Sequence, residues 1–139
     1  MKITWMFAIA FCLAPALSAQ TSTPHSKVPF LLSATLPSYP DNLRAADVTG
    51  KVVATVTVEG GQVIRVERTS GNFSLFYATR QNIETWKFAS GSDAVFTVAF
   101  TYEIAGEKGE EPMNPQVEML PNLDVHLTVR PYNHLKLIH

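Results

Sequence analysis

The chain has 139 residues, a formal net charge of −1, 46% hydrophobic residues and a single cysteine. That length suits one domain with a modest core. Its interspersed acids and bases leave no tract that would concentrate nucleic acid or anionic lipid, and its Val- and Phe-rich runs exclude a disordered polar chain.

The first segment, MKITWMFAIAFCLAPALSAQ, carries Lys2, an apolar run from Trp5 to Ala14, a break at Pro15 and the small-residue stretch Ala16 to Ala19. This is the layout of a secretory signal peptide over residues 1–19, which places the mature protein in the periplasm or outside the cell. The run from Ile3 to Ala19 is near the lower limit of a spanning helix and contains Thr4, Pro15 and Ser18, so an uncleaved inner-membrane anchor is the alternative. Contact with a membrane is expected only if the signal is retained. Cys12 lies inside this segment, so cleavage removes the one thiol that could serve a disulfide, a metal or nucleophilic catalysis. Phe11 before it argues against lipid attachment.

Residues 20–35 read as a flexible leader, polar in QTSTPHSK and without periodicity. The proline steps at Pro37 and Pro40 favour extended geometry from Leu36 to Pro40. Asp41 is a candidate N-cap for a short helical turn through Ala45. Lys51 to Glu59 places Val52, Ala54, Val56 and Val58 on one face, with strand periodicity and β-branched enrichment. Gly60-Gly61 can take positive φ at both positions, so Gln62 to Thr69 is expected to return as an antiparallel partner, with Ile64 and Val66 facing the core.

Ser74 is a candidate cap for an amphipathic helix on which Leu75, Ala78, Thr79, Ile83 and Trp86 share a face. Asp93 to Ile104 alternates, with Phe96, Val98, Phe100, Tyr102 and Ile104 on one side, which predicts a long strand with one buried face. Gly106 to Pro115 is a charged loop, and Val117 to Leu120 followed by Leu123 to Val129 predicts a last strand before a tail. The predicted class is α+β, a two-layer ββαβ arrangement of a three-stranded sheet on one helix with an extra C-terminal strand.

The ordered set Tyr39-Pro40, Ala45, Gly50-Lys51-Val52, Gly60-Gly61-Gln62-Val63, Ser70-Gly71, Leu75, Ala78 and Trp86-Lys87-Phe88 resembles the TonB C-terminal domain family over residues 36–104, with residues 105–139 as an appended loop, strand and tail. Two positions depart from the family pattern: Phe76 stands where an acidic residue is common, and Ala89-Ser90-Gly91 replaces a usual proline. The family's long Pro-rich spacer is also missing, since Gln20 to Pro37 spans at most about 60 Å fully extended.

The resemblance implies a non-enzymatic binding module in the context of TonB-dependent transmembrane transport. Its partner would be an extended peptide, such as the N-terminal segment of an outer-membrane transporter, added as a strand to the edge that follows the helix. On this chain that footprint falls on Val95, Thr97, Ala99 and Thr101, flanked by Tyr39 and Pro40. Leu123 to Val129 could cover the same edge; a free edge or one used for homodimerisation is the alternative. The anchored reading would make the chain an energy transducer.

An enzyme is not expected. His25, His126, His134 and His139 form no recognised ligand pair, no nucleophile elbow or phosphate loop is present, and Glu110-Glu111 sits in a loop. No catalytic residue, metal or cofactor is assigned.

Overall fold

A computed structural model describes residues 27–106 and 115–131. The expected signal peptide, most of the leader, most of the charged loop and the tail lie outside the described residues. The elements are β1 (Leu31–Ser33), α1 (Asp41–Ala45), β2 (Gly50–Glu59), β3 (Gln62–Ser70), α2 (Phe73–Ile83), β4 (Lys87–Phe88), β5 (Ala94–Ile104), β6 (Gln116–Met119) and β7 (Val125–Val129).

The α+β class holds, but the sheet has seven strands in the order β1-β4-β3-β2-β5-β7-β6, not three. β2 and β3 form the expected hairpin: Glu59 pairs with Gln62 across Gly60 and Gly61, whose φ angles are 58° and 80°. Two positive-φ residues match the right-handed twist of the flanking strands, which is why the two-glycine turn closes tightly. β2 also pairs antiparallel with β5 from Gly50↔Tyr102 to Val58↔Ala94, forming the centre of the sheet.

Three additions widen it. β1 forms within the stretch expected to be a flexible leader, and it pairs with the two-residue β4 just after the helix. β7 runs parallel to β5, from Phe100↔Val125 to Ile104↔Val129, and β6 pairs antiparallel with β7. The C-terminal apolar segment is thus two strands around a turn at Leu120 to Asp124. Alternation alone does not show whether a strand reaches its neighbour by a hairpin or by a longer excursion.

The core lies on one face of this sheet. Val52, Ala54, Val56 and Val58 meet Phe96, Val98, Phe100 and Tyr102 there, with Val125, Leu127 and Val129 continuing the layer, all buried. α2 covers it with Leu75, Phe76 and Ile83. The helix begins two residues earlier than a cap at Ser74 would start it: Asn72 is the N-cap, its Oδ1 accepting from the amides of Ser74 and Leu75 at 2.8 and 3.1 Å. It also ends earlier, at Ile83, so Trp86 follows the helix; its ring stacks on Phe100 with centroids 6.1 Å apart and its Nε1 donates to Asn82 Oδ1 at 3.0 Å. Burial of side chains this size contributes roughly 1.5 to 3 kcal/mol each.

Ile64 departs from expectation: it is 54% exposed. Val58 pairs with Val63 and Thr57 with Arg65, so Ile64 is an extra residue in a β-bulge. The bulge shifts the period-2 pattern by one position, which puts Val63 and Val66 against the core and turns Ile64 away.

Candidate partner-binding edges

Tyr39 is a core residue rather than a groove wall. Its hydroxyl donates to the carbonyl of Val48, and its ring meets Tyr102 edge-on with centroids 5.3 Å apart. Thr79 and Tyr102 join hydroxyl to hydroxyl at 2.8 Å in the buried layer. Burial pushes the Tyr102 phenol up to about 12, with a further rise from Tyr39 and an opposing effect from the Thr79 hydrogen bond. Burial, aided by the charge of Asp47, also raises Tyr39. Pro40 lines an apolar groove of about 470 Å³ between the helices, facing Leu43, Phe73 and Tyr77.

Val95, Thr97, Ala99 and Thr101 alternate with the core residues of β5 and so project from the opposite face of the sheet. Their side chains and the Tyr39-Pro40 segment therefore lie on different sides, and the structure does not bring the two together. The strand edge is divided as well. Thr101 pairs with His126 of β7, and the Ala99 amide donates to Asp124 Oδ1 at 2.8 Å, so the half of the edge holding these two residues is taken by the chain's own C-terminal segment. Thr97 lies before the first pair with β7, and only this short stretch extends past the capping strand.

A longer edge lies on the other side of the sheet. Among the described residues, β3 has a second neighbour only at Gln62, opposite Lys87 of β4. The direction of its main-chain groups follows from β5. The amides of Ala99 and Ala105 point toward β7, so the even positions of β5 point toward β2; Thr55 and Thr57 then point toward β3, and within β3 it is Glu67 and Arg65 that bond back to β2. The N–H and C=O groups of Val66 and Arg68 consequently face outward. A groove of about 420 Å³ runs beside them, lined by Val63, Ile64, Arg65 and Val66 from β3, by Arg80 from α2 and by Glu84, which caps the helix. Arg80 Nε and Glu84 Oε1 form an exposed ion pair at 2.8 Å along that wall.

Sequence reasoning missed this edge because it looked for the open strand after the helix. The available signal was the placement of Arg65 and Glu67 on one side of the second hairpin strand with Val66 between them on the other. Asp124 gave no signal, since its role depends on the turn that brings it to Ala99.

Among the described residues no group of His, Cys, Asp or Glu side chains could hold a metal ion, and no helix is long and apolar enough to cross a membrane. His126 is exposed on β7. Compared with known proteins, the chain matches no protein-family model and no curated protein.

Proposed function

We propose that the chain is a non-enzymatic, periplasmic TonB-like binding module that takes an extended peptide segment of a partner protein as an added strand. The observation that carries this reading is the β3 edge, where Val66 and Arg68 turn main-chain donors and acceptors outward beside a groove walled by α2. Strand addition needs backbone groups at an edge and a wall to orient the incoming chain, and no catalytic side chain. The β5 edge, where the family resemblance puts the peptide, is the less accessible of the two because β7 and Asp124 occupy half of it.

Two outward residues supply up to four main-chain hydrogen bonds, each worth about 0.5 to 1.5 kcal/mol net, so after the cost of association the binding is weak and reversible. A peptide copied from the N-terminal segment of an outer-membrane transporter is the probe. In an amide NMR titration it is expected to shift and protect Val66 and Arg68. Val66→Pro removes an outward N–H without removing a bond to β2, and should abolish those shifts while the β2–β5 amides stay native. Shifts confined to Thr97 and its neighbours would move the site to β5, and no saturable shift anywhere would remove the peptide-binding reading. Intact mass after fractionation separates this module from the anchored transducer: a soluble species beginning at Gln20 fits the first, a membrane-bound species beginning at Met1 the second.

A further inference from the structure

The exposed face of β3 carries Arg65 and Glu67 side by side, with Arg65 Nη1 3.6 Å from Glu67 Oε1. Between them Val66 is half-buried on the opposite face and turns its main-chain groups outward. We infer that the partner built into this edge is a second copy of the same chain, paired antiparallel through β3 about a two-fold axis at Val66. The inference deepens the strand-addition reading and rests on its premise that the β3 edge is open.

The register follows from the order Arg-Val-Glu. An antiparallel pairing centred on Val66 sets Val66 opposite Val66 of the second copy, in a hydrogen-bonded pair because both turn their N–H and C=O outward. Arg65 then lies opposite Glu67 of the other copy, and Glu67 opposite its Arg65. Each two-fold-related pair unites opposite charges, so four exposed charges alternate in sign around the axis, and opposite charges directly across strands are stabilising.

A protected edge usually carries charges that repel a copy of itself. Here any other register loses the match: a shift by two residues places Arg65 opposite Arg65 or Glu67 opposite Glu67. The pairing is short, because β4 occupies the position beside Gln62 and Thr69 is displaced in a second bulge. Five residues of each strand, Ile64 to Arg68, are left to pair. An interface this small forms a reversible dimer that competes with peptide for one edge, so self-association would set how much of the protein is available to a partner.

The test is sedimentation of the chain recovered from a Gram-negative periplasm, from about 10 μM to about 1 mM, which covers the range expected for a short strand pairing. The expected result is concentration-dependent dimerisation. Glu67→Arg should raise the dissociation constant by more than about tenfold, since it replaces both attractive pairs by repulsive ones. The double exchange Arg65→Glu with Glu67→Arg should restore it to within about threefold. Both side chains are solvent-exposed, so circular dichroism should remain native throughout. A chain that stays monomeric over the whole range, or a dimer insensitive to Glu67→Arg, would overturn the pairing. The peptide titration separates the two ideas: binding by a strict monomer removes only the dimer, whereas a charge-sensitive dimer that ignores peptide keeps the dimer and removes the peptide reading.

Discussion

The Nε of Arg44 donates to the carbonyl oxygen of Arg130 at 2.7 Å, and its terminal nitrogen reaches the carbonyl of Pro131 at 3.4 Å. A five-residue helix is too short to be stable alone, so α1 depends on such tertiary fastenings. Arg44 is buried, and it ties the first helix to the end of the last strand across 86 residues. Hydrogen bonds from a charged donor contribute about 1.5 to 3 kcal/mol, which sets the expected cost of Arg44→Met. Urea denaturation should show a fall of that size, and a variant as stable as the parent would remove Arg44 from the structural account.

Tyr102 makes the stability pH-dependent at the alkaline end. Its phenol is raised from 10.0 to about 12 in the folded protein. Below pH 10 the group is protonated in both states and contributes no pH dependence. Between about 10 and 12 the unfolded chain loses the proton first, so the unfolded state binds fewer protons and stability falls by about 2 to 3 kcal/mol. Tyr102→Phe should flatten most of that decline while losing the Thr79 hydrogen bond at neutral pH. Because Tyr39 is raised as well, a smaller alkaline decline should remain.

Gly60 and Gly61 look equivalent in the sequence and differ in the fold. A Cβ on Gly60 meets nothing within 4 Å, whereas one on Gly61 would sit 2.7 Å from the carbonyl oxygen of Phe88 and 2.8 Å from that of Ala89. Both positions have positive φ, so each alanine carries a left-handed strain of about 1 to 2 kcal/mol. Gly61→Ala must also push β4 away from the turn, which already receives the Phe88 amide at the Gly61 carbonyl at 2.8 Å. Thermal melts should rank Gly61→Ala clearly below Gly60→Ala; equal losses would mean that β4 does not pack on the turn.

The β2–β3 hairpin, the central helix and the long β5 were legible because each depends on local pattern: β-branched alternation, a two-glycine turn, and apolar residues three or four apart. What the sequence did not show depended on neighbours distant in the chain. The bulge at Ile64 depends on the register against Val58 and Thr57, and β1 exists only because β4 offers it a partner. The pairing of β7 with β5 is one of the two outcomes the sequence allows for Leu123 to Val129; its parallel direction follows from β6, which alternation alone merges with β7. A list of the strand residues of β5 likewise does not say which edge the rest of the chain fills, and here β7 and Asp124 lie against Thr101 and Ala99.

Trp86 tests the core directly. It is fully buried, stacked on Phe100 and hydrogen-bonded to Asn82. Trp86→Ala should cost about 3 to 5 kcal/mol, enough to abolish cooperative unfolding in a domain this size. A cooperative transition at the parental urea midpoint would contradict the packing described.

Asp124 closes part of the β5 edge. Its Oδ1 accepts the Ala99 amide at 2.8 Å, and its Oδ2 accepts from Asn122 Nδ2 at 2.9 Å, so one carboxylate closes the turn before β7 and blocks the main chain of β5. Asp124→Ala leaves the Ala99 amide without its acceptor, at a cost of about 1 to 3 kcal/mol, while Asp124→Asn retains an oxygen there and should lose less. Hydrogen exchange at Ala99 and through β7 should accelerate in the alanine variant, with the β3 amides unchanged. If partners dock on β3, peptide affinity should be the same in the parent and in Asp124→Ala. A gain of affinity on opening this turn would instead identify β5 as the docking edge and β7 as its internal competitor, because only removal of a competing strand can strengthen binding without altering the peptide's own contacts.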